Sequence, residues 1–196
     1  SLKTPIMRMK LRTEMLDDDD LREQYHEDLD ELDLMVKSAL QSVRDSDVHE
    51  NLQPTRLELL LQRLAKRPIY PEAKINLSLQ AVTVMAKPLA LMRALGNLID
   101  NAILYGQRVN ITLQDLDGWA VIELRDHGPG IPENAIERAF EPHVRLAHGQ
   151  RENRAGTGLG LGIARAIVEA HGGQLSLHNH PKGGLLVRLA LPKGMH

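Results

Sequence analysis

In LGNLIDNAILYG, residues 95 to 106, Asn97, Asn101 and Tyr105 stand four apart. On a helix they share one face, while Leu95, Leu98, Ile99, Ala102 and Ile103 supply an apolar one. Two carboxamides and a phenol along a core helix need partners, because an unbonded buried amide is costly. A carboxamide oxygen can ligate a hard cation such as magnesium, and its nitrogen can donate to phosphate or ribose. The trio suits a magnesium nucleotide, and internal hydrogen bonding is the plainer use of the same groups. In RDHGPGIP, residues 125 to 132, Asp126 ends a strand-like run, and Gly128 and Gly130 permit a turn that approaches a flat ligand closely. A carboxylate fixed there can accept from an exocyclic amine such as that of adenine, although many surface turns share the pattern. In GTGLGLGI, residues 156 to 163, Gly156, Thr157, Gly158, Leu159, Gly160 and Leu161 lead into the helical run ARAIVEAH. Free N–H groups at such a helix start can cradle phosphate. The run is not a P-loop, which needs GK[ST], nor the dinucleotide fingerprint of a first strand-helix turn.

Each cluster alone has a bland explanation, but their succession within residues 95 to 163 offers a metal ligand, a base reader and a phosphate cradle in turn. Between the last two lies AFEPHVRLAHGQRENRAG, residues 139 to 156, a long polar stretch that reads as a mobile flap over the phosphates. Arg145, Arg151 and Arg154 are its candidate phosphate contacts, and a solvated loop accounts for any one of them equally well.

The elements that must position these residues read as an α+β unit, residues 50 to 196. A long helix runs from about Pro88 to Tyr105, preceded by short strands in INLSLQ and AVTVM. VNITLQ and WAVIELRD form a hairpin about QDLDG, and a further helix covers residues 158 to 170. GQLSLHN and GLLVRLALP close the chain, with Leu185, Val187, Leu189 and Leu191 on one face and Arg188 opposite. The pattern predicts a mixed sheet with helices on one face, an α/β sandwich. In TRLELLLQRLAKR a helix is expected with Thr55 as cap and Glu58 completing a capping box, ended by Pro68 and Pro71. SDVHENLQP, residues 46 to 54, reads as linker.

Residues 1 to 49 read as an antiparallel helical hairpin. Leu2, Ile6, Met9 and Leu16 mark one stripe, and Tyr25, Leu29, Leu32, Val36, Ala39 and Val43 the other. A hairpin covers only one of its own sides, so a second copy would complete a four-helix bundle, and a homodimer is expected. From Asp17 to Asp33 ten acidic residues face one Arg, which is a solvated face or a surface for a basic partner.

Composition narrows the field. With 42% hydrophobic residues, 26% charged and a formal charge of -2, the chain resembles an ordinary globular protein with no global attraction for nucleic acid. One Trp, one Phe and three Tyr leave almost no platforms for stacking bases of a single strand. Without cysteine there is no thiol nucleophile, disulfide or Cys-based zinc site.

The clusters together resemble the cytoplasmic kinase core of bacterial sensor histidine kinases, whose ATP-binding fold is shared by gyrase, Hsp90-type chaperones and MutL. NLIDNA resembles the N box, DHGPG the G1 box, AFEP around Phe140 the F box, and GTGLGLGI the G2 box. The resemblance implies that Asn101 coordinates Mg2+, that Asn97 and Arg93 assist around the phosphates of ATP, and that Tyr105 packs near adenine. It further implies that Asp126 reads the adenine amino group within a turn containing Gly128, Gly130 and Ile131. Phe140, Arg145 and Arg154 would belong to the lid, and Gly156, Thr157, Gly158, Leu159, Gly160 and Leu161 would wrap phosphate. ATPase relatives carry a water-activating glutamate one helical turn before the metal-binding Asn. Asn97 stands there and cannot act as a base, which favours phosphoryl transfer to a histidine over hydrolysis. An ATP-hydrolysing member of the fold and a noncatalytic docking module are the alternatives. His143 replaces a frequent second Phe, and Gly162 the usual Ala.

SLKTP, residues 1 to 5, resembles the latter part of the H box. The phosphoacceptor histidine is therefore expected immediately before Ser1, and this chain is not expected to autophosphorylate at the usual site. Thr4, one turn after that position, would assist dephosphorylation of the partner. None of His26, His49, His127, His143, His148, His171, His178, His180 and His196 lies in the acceptor pattern. The implied partner is a response-regulator receiver domain, and the implied setting is the cytoplasmic portion of a bacterial inner-membrane protein with a membrane segment upstream.

Overall fold

A computed structural model describes residues 50–67, 73–141 and 159–194, together with Thr13 and Tyr25. The chain divides into two compact units, Ser1–His49 and Glu50–His196. In the first, Thr13 is helical and buried, and Tyr25 is helical and exposed. The expected hairpin, its dimer interface and Thr4 otherwise lie outside the described residues.

The second unit runs β1 (Gln53–Arg56), α1 (Leu57–Ala65), β2 (Lys74–Leu79), β3 (Thr83–Ala86), α2 (Pro88–Gly106), β4 (Arg108–Leu116) and β5 (Trp119–Asp126). Two 3-10 turns, Glu133–Ala135 and Glu137–Phe140, precede α3 (Gly160–Ala170), β6 (Gln174–Asn179) and β7 (Leu185–Pro192). Five strands form a sheet in the order β2-β4-β5-β7-β6, parallel only between β2 and β4, and β1 pairs antiparallel with β3 as a separate ribbon. Period-two alternation sends Ile111, Leu113, Ile122, Leu124, Val187 and Leu189 to one face. There they meet Leu57, Leu61 and Leu64 of α1, Leu91, Leu95 and Leu98 of α2, and Ala164 and Val168 of α3 in one core. Aliphatic side chains fill it, as the scarcity of aromatics requires. Among the described residues no helix is long and apolar enough to cross a membrane.

The hairpin turn is tighter than expected. β4 continues to Leu116, and Asp117 and Gly118 alone make the reversal with φ of 42 and 86°. Two consecutive positive φ values match the right-handed twist of the flanking strands, and Asp-Gly is a pair that tolerates them.

The capping box at α1 is overturned. Residues 53 to 56 form a strand, and α1 starts at Leu57 after Arg56, whose side chain makes no cap bond. The Thr55 hydroxyl donates to the Gln53 carbonyl, and the Leu57 N–H reaches the Val82 carbonyl at 3.0 Å. The deciding partner is β3, distant in sequence, which supplies the backbone bonds that a local helix start would otherwise have needed. Glu58 is buried and serves that junction. Its carboxylate accepts from the Val82 N–H at 3.2 Å and from Arg56 Nε at 2.6 Å. Burial pushes this carboxyl up, but hydrogen bonds from the Glu58 and Val82 backbone and from the Arg56 guanidinium outweigh it and hold it below 4.5.

The long helix α2 is held at its start from two distant places. Pro88 occupies its first turn, and the Glu50 carboxylate accepts from the Leu89 N–H at 2.7 Å and the Ala90 N–H at 3.2 Å. A segment that reads as linker thus supplies the cap, with its charge at the positive end of the helix. From the other side, His171 beyond α3 accepts the Lys87 N–H at Nε2, while its Nδ1 lies 2.7 Å from the Ile167 carbonyl.

Since the folded state holds Glu58 ionised, its contribution is complete above the unfolded carboxylate value and is lost as pH falls through the folded one. Glu58→Gln is expected to destabilise the chain by about 1–3 kcal/mol at pH 7. Denaturant melts repeated down to pH 3 should show the gap from the parent narrowing with acidity.

Candidate functional site

The apolar side of α2 is fixed against the sheet, which leaves Asn97, Asn101 and Tyr105 along another side. Asn97 and Asn101 are half-buried and Tyr105 is 47% exposed. Eight residues of helix separate Asn97 from Tyr105, a length of about 12 Å. Each end of that span meets a different part of the chain.

The end near Tyr105 meets the turn after β5 through glycines. A Cβ on Gly128 would stand 2.7 Å from the Tyr105 carbonyl oxygen, and one on Gly106 would stand 2.7 Å from both Asp126 Cβ and the His127 nitrogen. On a third side, a Cβ on Gly184 would overlap the Asp126 carbonyl. Asp126 is 5% exposed, and its Oδ1 accepts the N–H groups of Gly128 and Leu185, each at 2.9 Å. Both bonds fall on one oxygen. Among the described residues the only buried side-chain polar atom without a partner is Arg125 Nε, so neither carboxylate oxygen of Asp126 is a sealed orphan. Farther along the turn, Gly130 has φ +76°, and the half-buried Ile131 is bonded through both its backbone N–H and its carbonyl to Asn179 at the end of β6.

The other end meets α3. The Asn97 amide nitrogen lies 3.5 Å from the Gly160 carbonyl, a long contact. A Cβ on Gly160 would come within 3.5 Å of Asn101 Nδ2 and 3.6 Å of Asn97 Cβ, so the start of α3 lies directly beside both asparagines. α3 begins after Leu159 with no side-chain cap and no acidic residue in its first turn, and its first N–H groups and positive dipole end suit an anion. Arg93, one turn before Asn97, is half-buried and has an interaction of its own. Asp100 stands on a different side of α2, 3.9 Å from Arg67. Burial raises its carboxyl and Arg67 pulls it partly back. Among the described residues no three His, Asp or Glu side chains gather to hold a metal. Asn101 offers one carboxamide oxygen to an ion, and magnesium commonly takes its remaining ligands from phosphates and water.

Phe140 belongs to α3 rather than to either end. Its ring lies under the Arg165 guanidinium at 4.5 Å, and its carbonyl oxygen approaches to 2.7 Å from where a Gly162 Cβ would be. Arg165 also bonds Glu137 at 3.3 Å and Glu169 at 3.1 Å, which fastens the second 3-10 turn to the helix. The expected contacts Arg145, Arg151, Arg154, Gly156, Thr157 and Gly158, with His143 and His148, lie outside the described residues. Two cavities of about 220 and 290 Å3 lie toward Gln174, Arg188 and Ala190, and neither is lined by a predicted site residue.

Sequence reading passes over Asn179, Gly106, Gly184 and Arg165. Asn179 is exposed at the end of β6, and nothing in GQLSLHN sets it apart. Gly184 follows Gly183 in what looks like a plain turn.

The family described as "Histidine kinase-, DNA gyrase B-, and HSP90-like ATPase" matches residues 86–195, more than half the chain. Over 194 residues, 98% of the chain is aligned at 47% identity with the sensor histidine kinase GtrS of Pseudomonas aeruginosa. The aligned part is 40% of that relative's length, so the chain spans about two fifths of it. Among solved structures, the ATP binding domain of PrrB from Mycobacterium tuberculosis superposes with a TM-score of 0.62 at 26% identity, covering 74% of this chain and 100% of that one. The mycobacterial sensor histidine kinase MprB gives 0.64 at 26%, covering 72% and 97%.

Gly183 and Gly184 have nearly the same positive φ, 85 and 88°, but a Cβ on Gly183 meets nothing within 4 Å. Gly183→Ala is expected to lose about 1–2 kcal/mol of stability from backbone strain alone. Gly184→Ala should lose a further 1–3 kcal/mol or so from overlap with Asp126. Equal melting temperatures for the two variants would contradict the close approach.

Proposed function

Because the chain belongs to the family of histidine kinase-, DNA gyrase B- and HSP90-like ATPases, we propose that its second unit binds Mg-ATP for phosphoryl transfer to a histidine of a sensor kinase. The observation that supports this most is the span of α2. One end abuts a buried carboxylate whose Oδ1 is held by two backbone N–H groups, and the other, about 12 Å farther along the helix axis, abuts a glycine helix start. A span of that order lets one helix reach both the base and the phosphates of a single nucleotide.

In this reading Asp126 Oδ2 accepts from the adenine exocyclic amine, and Gly128, Gly130 and Ile131 form the wall beside the base. Tyr105 packs at the same end. The N–H groups at the start of α3 donate to phosphate oxygens, and Asn97 and Arg93 orient the chain of phosphates. Arg145, Arg154, Gly156, Thr157 and Gly158 would close over them, with the segment anchored through Phe140. Asn101 would hold Mg2+ through its carboxamide oxygen, and the ion, when bound, offsets phosphate charge. Phosphoryl transfer demands positioning and electrostatic stabilisation more than covalent help from the protein. The attacking imidazole would come in line with the γ-phosphorus from the H box, and the phosphoryl group would pass on to an aspartate of a response-regulator receiver domain. Dimerisation through residues 1 to 49, a phosphatase role for Thr4 and attachment to a membrane segment complete the proposal for the whole protein.

Two measurements test it. Titration of the chain with nucleotide should show binding of Mg-ATP, and Asn101→Ala should weaken it about tenfold or more while changing magnesium-free ADP binding little. Equal losses with and without the ion would remove Asn101 as the metal ligand. Free phosphate released from Mg-ATP should stay slow, because Asn97 cannot deprotonate water. Rapid hydrolysis abolished by chelation would instead assign the chain to the hydrolysing branch of the fold.

A further inference from the structure

We propose that Asn179 is a positioning residue for the base end of the site, which fixes Ile131 relative to Asp126 and so sets affinity for the adenine moiety. The inference rests on the reading of residues 126 to 131 as the base-binding turn. Three observations carry it.

The first is the completeness of the bond pair. Asn179 Oδ1 accepts the Ile131 N–H at 2.9 Å, and Asn179 Nδ2 donates to the Ile131 carbonyl at 2.6 Å. A primary carboxamide presents a donor and an acceptor side by side, and here it satisfies both backbone groups of one residue as a neighbouring strand would. Leucine would satisfy neither group, and aspartate would set a carboxylate against the Ile131 carbonyl.

The second is the fit of Gly130. It has φ +76°, and a Cβ there would stand 2.6 Å from Asn179 Oδ1. The glycine that permits the turn therefore also makes room for the amide, and a side chain at residue 130 would expel the clamp.

The third is where the clamp is mounted. Asn179 pairs in register with Leu185, and the Leu185 N–H is one of the two donors to Asp126 Oδ1. The facing ends of β6 and β7 thus hold the carboxylate with one residue and the wall of the turn with the other. Both Asp126 and Ile131 are thus tied to this one strand pair, and relaxing either attachment would loosen the turn beside which a flat ring would sit.

Calorimetric titration of the 196-residue chain with ADP and with adenosine tests the proposal in the parent, Asn179→Ala and Asn179→Asp. Both variants are expected to raise Kd for the two ligands by a common factor of about ten, with stoichiometry near one per chain. The common factor is the sign of a defect at the base end, since adenosine carries no phosphate. Gly130→Ala should weaken binding similarly, and its combination with Asn179→Ala should weaken it less than the product of the two factors. Unchanged Kd in Asn179→Asp, or lower stoichiometry at unchanged Kd, would overturn the proposal by leaving Asn179 only a part in stability. If Asn179→Ala does not fold, the isosteric Asn179→Asp decides alone. A parent chain that binds neither ligand would sink the base-site reading itself, whereas binding by the parent with no loss in the variants sinks only the clamp.

Discussion

The second unit depends on how closely main chain can approach Asp126. Helix α2 reaches it at Gly106, the following turn folds back at Gly128, and β7 arrives at Gly184, where any Cβ would overlap the Asp126 carbonyl. These contacts are possible only without side chains, and they bring the end of a helix, a turn and a strand start around one carboxylate. Two backbone N–H groups fix its Oδ1, so its orientation follows from the main chain and not from a rotamer choice. β5 itself lies between β4 and β7 in the sheet, and a strand held on both edges gives the carboxylate a stiff mount.

The same constraint gives α2 a second task. With Gly106 held against Asp126, the helix is a strut of fixed length, and its far part is carried to the start of α3. Its first turn is secured by Glu50 and His171, which belong to the two ends of the unit's sequence. Burial of Leu91, Leu95, Leu98 and Ile99 sets its rotation, and rotation decides that Asn97 meets Gly160. Core packing and site geometry are therefore one problem here. The lone Phe follows the same logic, since Phe140 sits beneath Arg165 on α3 and ties the second 3-10 turn to that helix.

What the sequence reveals of this arrangement depends on how local each cause is. The α2 face is legible because a spacing of four residues maps directly onto a helix, and the β7 alternation of Leu185, Val187, Leu189 and Leu191 is legible for the corresponding reason. Residues 125 to 131 are legible as a turn because two glycines follow a strand. By contrast, β1 is invisible in QPTR, where a proline and three polar residues owe their strand to β3. Thr55 and Glu58 imitate a helix start, yet their partners are Gln53, Arg56 and Val82. Gly184 and Asn179 escape notice because their partners, Asp126 and Ile131, lie about fifty residues earlier in the chain.

Asn97, on which the proposed preference for transfer over hydrolysis rests, also has a structural setting. The Asn97 amide nitrogen faces the Gly160 carbonyl at 3.5 Å, at the point where α2 meets the first residue of α3. A glutamate at this position would have to turn its carboxylate away from that carbonyl, since no donor would stand between two acceptors. An amide can stay, because its nitrogen faces the carbonyl while its oxygen remains for other partners. In the proposed function that amide orients phosphates and, unlike a glutamate, takes no proton. On the proposed function such a site would hold phosphates for a nucleophile that brings its own basicity, as a neutral imidazole does, and Asn97 itself would take no proton from water.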